Sequence, residues 1–140
     1  TSQRFEWTAN GVPSQMENQQ LQDADFNQEG WRLLRDTLSL GEILQGNVRS
    51  LPKAERKILS AQGILSIVIV PIYVNSGFWG FIGFDECRSE RDWKPAELDA
   101  LRAAANVLGA IFQRRKMELA LHLSEERYRA LTENQDKNAG

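Results

Sequence analysis

The chain of 140 residues holds one cysteine, Cys87, and one histidine, His122. A lone thiol forms no internal disulfide, and one thiol with one imidazole cannot assemble a structural zinc site. The same scarcity removes the nucleophile–base pairs on which covalent catalysis depends, so neither catalytic residues nor metal ligands are expected. Asp85 and Glu86 are adjacent, and strand neighbours point to opposite faces, so they do not converge as a catalytic carboxylate pair. Also missing is a surplus of positive charge. Lys and Arg number 17 against 19 Asp and Glu, a net charge of -2, which argues against a nucleic-acid partner. No apolar run is long enough to span a bilayer, because the longest, residues 63–73, is interrupted by Ser66 and Pro71. No basic segment followed by an apolar one opens the sequence. Thr1-Ser2-Gln3-Arg4-Phe5 is read as a chain already under way, without membrane contact in this segment. A reducing, cytoplasmic setting is expected.

What is present is an ordinary globular balance, 41% hydrophobic and 26% charged, enough for a single core. Residues 3–8 alternate polar and apolar, the pattern of a half-buried strand, and Asn10-Gly11 and Pro13 stop it. Residues 14–29 are polar and read as a surface loop. Trp31, Leu34 and Leu38 then step at helical spacing until Gly41. Ile43, Leu44 and Val48 suit a short strand. Pro52 suits the first position of a second helix that ends at Gln62-Gly63. Residues 64–74 are continuously apolar and rich in β-branched side chains, which predicts a strand covered on both faces. Asn75-Ser76-Gly77 turns the chain, and residues 78–84 return antiparallel.

From Pro95 nothing breaks a helix until about Thr132. At 1.5 Å per residue that is roughly 55 Å, whereas a domain of this size is only about 35 Å across. The helix must leave the globule. Leu98, Leu101, Ala105, Leu108 and Phe112 form a stripe suited to packing on the sheet. A second seam runs Ala103, Val107, Ala110, Arg114, Met117, Leu121, Ser124, Tyr128 and Leu131 at alternating spacings of three and four. It reads either as a dimer seam, interrupted by Arg114 and Ser124, or as one side of a solvated helix. The seam residues named for a homodimer are Val107, Ala110, Met117, Leu121, Tyr128 and Leu131.

Taken in order, Arg4-Phe5-Glu6-Trp7, Gly30-Trp31, Leu40-Gly41-Glu42, Leu51-Pro52-Lys53-Ala54-Glu55-Arg56, Gln62-Gly63-Ile64-Leu65-Ser66, Val70-Pro71-Ile72 and Phe78-Trp79-Gly80-Phe81-Ile82-Gly83-Phe84-Asp85 resemble the GAF domain of sensor histidine kinases and related signalling proteins. Trp93, Glu97 and Leu98 continue the pattern. Residues 124–134, Ser-Glu-Glu-Arg-Tyr-Arg-Ala-Leu-Thr-Glu-Asn, resemble the entry helix of a PAS domain. The resemblance implies an α+β fold, an antiparallel sheet of five or six strands with helices on both faces, and a long C-terminal helix. It divides the chain into a sensory domain over 1–113, a linker helix over 114–123 and the start of a PAS-like domain over 124–140. Family members normally have a helix and a strand ahead of the segment matching residues 3–8. Their lack here predicts a gap or an exposed edge beside residues 3–8 or 78–84, open to another strand.

The resemblance further implies a non-catalytic signalling module, with PAS and kinase domains downstream in cis. A ligand pocket is expected with Trp31, Leu34, Leu38, Ile58 and Gln62 as its roof, and Ser66, Val68, Val70, Trp79 and Phe81 as its floor. The same side chains could equally fill a core, leaving a ligand-free structural dimerisation module. No cofactor is assigned. A tetrapyrrole or redox role for Cys87 is a third reading, weakened because Arg88 follows it where bilin-binding relatives carry histidine. His122 lacks the flanking acidic residue and downstream proline of a phosphoacceptor box, and reads as a solvent-facing linker residue.

Overall fold

A computed structural model describes residues 6–17, 25 and 27–139. A single 3-10 turn, Glu29–Trp31, leads into α1, Arg32–Ser39. Strand β1, Leu44–Asn47, is followed by a second 3-10 turn, Val48–Ser50, and by α2, Lys53–Ala61. Strands β2, Ser66–Val74, and β3, Gly77–Glu86, form the hairpin, and α3 spans Pro95–Ala139.

The sheet is antiparallel with order β1-β2-β3. The β-branched run of β2 puts it in the middle, and its period of two sends alternate residues to opposite sides. Ile67 and Ile69 join Leu34, Leu38, Val48 and Ile64 in a core beneath α1 and α2. Val68, Val70 and Ile72 join Ala105 beneath α3, with Leu98, Leu101, Leu108 and Phe112 packed around them. Helices therefore cover both faces of an α+β fold, and the stripe read for sheet packing is the one that packs. Pro71, which has no N–H, is tolerated in a central strand because β1 begins only at Leu44, opposite Ile69, leaving that side of β2 without a ladder at Pro71.

Two expectations are corrected. Residues 6–8 are irregular and residues 3–5 lie outside the described residues, so the described part of the expected first strand is not one. The Glu6 carboxylate instead accepts hydrogen bonds from the Ser14 hydroxyl and the Gln15 N–H, folding the segment back on itself. Alternation alone cannot make a strand that finds no ladder. The five or six strands implied by resemblance are accordingly three among the described residues. β3 pairs only with β2 there and stands at the sheet edge, on the 78–84 stretch where an edge was expected.

Candidate functional site: a closed cavity and a projecting helix

Two parts of the molecule could carry function, the space between α1, α2 and the sheet, and the helix α3.

The space is nearly filled. Trp31, Leu34, Leu44, Leu51, Ile58, Leu59, Ile67 and Ile69 converge on a cavity of about 30 Å³. That is room on the order of one water, against roughly 300 Å³ or more for an organic ligand. Glu55 is its one ionisable lining residue. It lies on the same face of α2 as Ile58 and Leu59, is only 7% exposed, and accepts a 2.9 Å hydrogen bond from the Leu33 N–H. That N–H sits in the first turn of α1, where the helix leaves it without an internal partner, and no side chain of the preceding residue caps it. Glu55 is thus a cap supplied from a neighbouring helix. Gly30 lies close to α2 at this junction: a Cβ there would lie 2.1 Å from Ile58 Cδ1 and would have to push that side-chain end aside.

The residues expected to line a pocket do not share one space. Trp31, Leu34, Leu38 and Phe81 pack on the α1/α2 side, Ile58 lines the small cavity, and the Gln62 amide turns back to the Ile58 carbonyl at 3.2 Å. Val68 and Val70 are fully buried on the α3 side. Ser66 is fully buried too, where its hydroxyl donates to Asn47 Oδ1 at 2.6 Å and accepts from the Arg91 N–H at 2.9 Å. Trp79 is the residue left unpaired where the hairpin register slips between Ile72 and Tyr73, and it stacks on Phe112 of α3 at 4.0 Å. Of the expected floor, Phe81 lies on the α1/α2 side, but Ser66, Val68, Val70 and Trp79 do not, because a run of apolar residues does not say which parity points to which helix. Ile67 and Ile69 are the floor. Glu55 was also missed, although its spacing from Ile58 and Leu59 on one helical face was a usable signal.

Cys87 is half-buried at the end of β3, packed against the α1/α2 core. Burial, then the Asp85 and Glu86 carboxylates, pushes its thiol up, which keeps it protonated and makes it a poor nucleophile. A bilin needs both a reactive attachment residue and a large slot, and neither this thiol nor the 30 Å³ cavity fits one. Asp85 keeps an exposed flank, yet lost hydration and the Glu6 carboxylate push it up to about 6.

The second part is α3. Its first half is fixed to the globule. Gly109 is buried where the helix crosses β2 so closely that a Cβ would lie 2.3 Å from the Tyr73 carbonyl oxygen. Polar ties add to this: Arg102 donates to the Gly41 carbonyl, the Asn75 N–H to Gln113 Oε1, and the Lys116 amine to Ser76. At the N-terminus the Glu97 carboxylate accepts from the Lys94 N–H and from Arg91, which holds it below the usual carboxylate range. Beyond Phe112, among the described residues, only Gln113 and Lys116 carry such ties, and the apolar side chains lie exposed. Met117, Leu121, Tyr128 and Leu131 are 59–75% exposed, as is Val107 further back at 59%. His122 pairs with Glu126 on the exposed surface at 3.1 Å. Among the described residues no helix is long and apolar enough to cross a membrane, and no cluster of side chains could hold a metal ion.

Comparison with known proteins agrees with this architecture. The chain is 42% identical over 113 residues to the methanogenesis regulatory histidine kinase FilI of Methanothrix harundinacea; the match covers 81% of this chain but only 13% of that protein. Among solved structures, the blue-light absorbing form of the PixJ GAF domain of Thermosynechococcus elongatus superposes with a TM-score of 0.66 at 16% identity, covering 84% of this chain and 69% of that one. A phycocyanobilin-bound GAF domain from a cyanobacterial phytochrome gives 0.62 at 19% identity, covering 81% and 67%. At those identities they share a fold. The family model described as GAF domain matches residues 7–112, and the chain belongs to the GAF domain family.

Proposed function

We propose that this domain is a regulatory module of a cytoplasmic sensor histidine kinase that pairs with a second copy through α3 and relays a change in helix geometry to the domains downstream of it. The observation that carries this reading is the contrast along α3, a 45-residue helix clamped to the sheet over its first turns and bearing an uncovered apolar seam beyond Phe112. A helix held at one end transmits a rotation or shift to the other. Two packings that differ by a few kcal/mol suffice for a switch. The 42% identical histidine kinase supports placing the module in a two-component protein. In this reading residues 1–113 are the regulatory domain, 114–123 the linker and 124–140 the entry to a PAS-like domain.

Small-molecule binding is a second reading, favoured by the buried Glu55 carboxylate at the cavity between α1, α2 and the sheet. It requires α1 or α2 to move outward, because about 30 Å³ admits no organic ligand.

The test is insertion after Arg115 in the full-length kinase. Seven extra residues keep a seam with a seven-residue repeat in phase, whereas three or four rotate it. Autophosphorylation that tracks this phase is the expected outcome. Activity indifferent to insertion length would refute relay through α3.

A further inference from the structure

Where α3 leaves the sheet, its surface is concave. The helix and the β2–β3 turn enclose an open groove of about 890 Å³, with Tyr73 and Asn75 on the turn side and Ala110, Arg114, Met117 and Leu121 along the helix. These four helical residues are consecutive members of the exposed seam, so the groove and the seam are one surface. The turn is a fixed wall, because Asn75 donates its N–H to Gln113 Oε1 at 2.9 Å and Lys116 reaches Ser76 Oγ at 3.1 Å.

We propose that this groove seats α3 of a second copy running parallel, so that the β2–β3 turn of each protomer touches the helix of the other. The inference rests on the α3 pairing proposed above and adds to it a contact between sheet and partner helix. Three observations favour a second copy as the occupant. The seam that floors the groove up to Leu121 continues on the exposed helix through Tyr128 and Leu131, about 40 Å of helix from Gln113 onward, which suits a second helix and is far longer than a small molecule. The groove's only charged lining residues, Arg114 and Glu118, pair with each other at 2.9 Å along the same helix, so the patch carries no net charge to repel a second copy. Its centre is apolar, as the core of a helix pair must be. At about 100° per residue, Gly109 and Gln113 flank the seam on the turn side, and Ile111 and Glu118 flank it on the other. A two-fold axis exchanges those sides and brings Glu118 of the partner subunit beside Asn75. A shift of the hairpin would then act on the partner's helix directly as well as on its own.

Disulfide trapping tests this in the whole chain with Cys87→Ser as background. Two differently tagged versions, one with Asn75→Cys and one with Glu118→Cys, are co-expressed and mildly oxidised. Met117→Cys alone serves as the probe of α3 pairing. The expected result is a Met117→Cys dimer together with a mixed-tag dimer on the order of ten-fold above an Asn75→Cys and Arg115→Cys control, because docking raises the local thiol concentration. A Met117→Cys dimer with no mixed-tag product above control overturns the groove contact and leaves α3 pairing standing. No Met117→Cys dimer overturns both. The three helix sites and Asn75 are exposed, and an unchanged melting temperature confirms that each variant folds.

Discussion

The two halves of α3 are one helix with opposite circumstances. From Pro95 to Phe112 it lies on β2, and Ala105 and Gly109 are buried against it. From Gln113 to Ala139 it has apolar side chains of the same kinds and nothing among the described residues to cover them. In the first half the apolar stripe contributes to folding. In the second it contributes nothing until another surface arrives. Identical chemistry thus serves stability in one place and recognition in the other, and what decides is whether the sheet is within reach.

That contrast can be broken from either end. The largest effect is expected in the far half: Met117→Lys with Leu121→Lys puts charges into the seam and should weaken self-association at least about 100-fold, roughly 3 kcal/mol. The unfolding free energy of the monomer should stay within about 0.5 kcal/mol, since both sites are exposed. Sedimentation equilibrium and urea titration read the two quantities separately. In the near half the order reverses. Gly109→Ala drives a methyl group into the Tyr73 carbonyl and should cost about 1–3 kcal/mol in urea unfolding. It should also move α3 relative to the hairpin, visible as amide shift changes at Tyr73 and Asn75.

Effects remote from α3 should be smaller. Glu55→Ala removes the cap on the Leu33 N–H and is expected to cost about 1–2 kcal/mol by thermal or urea melts, with self-association unchanged. The smallest concerns Asp85. Its folded-state pKa is raised to about 6, so the protonated form favours the folded state, and stability should rise as pH falls from 7 through 6 towards 4. Because Asp85 keeps contact with water the gain is on the order of 1 kcal/mol or less. Asp85→Asn should flatten that dependence across pH 4–7 in urea melts; an unchanged slope would show that Asp85 does not cause it.

How far these features were legible in the sequence depends on how local their causes are. The hairpin, both short helices and the exit of α3 announce themselves through β-branched runs, turn residues and uninterrupted helical spacing, which are properties of neighbours along the chain. The stripe of Leu98, Leu101, Ala105, Leu108 and Phe112 was readable for the same reason. The pocket was not. Whether Val68 or Ile69 faces α1 depends on pairing with β1 and on the irregularity at Ile72 and Tyr73, which are set between strands. The same irregularity sends Trp79 to Phe112 and away from the space it was expected to line. The failure at residues 6–8 has a similar origin: alternation records a preference, and a strand exists only where a neighbouring ladder accepts it. Glu55 lay between these cases, since its helical face could be read but its partner, a backbone N–H of another helix, could not.

The most direct measurement is sedimentation equilibrium on this chain and on a version ending at Gln113, which keeps the packing of Leu98, Leu101, Ala105, Leu108 and Phe112 on β2 and discards the projecting half of α3. The longer protein should associate into dimers and the shorter should remain a folded monomer. A longer protein that stays monomeric at high micromolar concentration, or a shorter one that still dimerises, would contradict the assignment of recognition to the projecting helix.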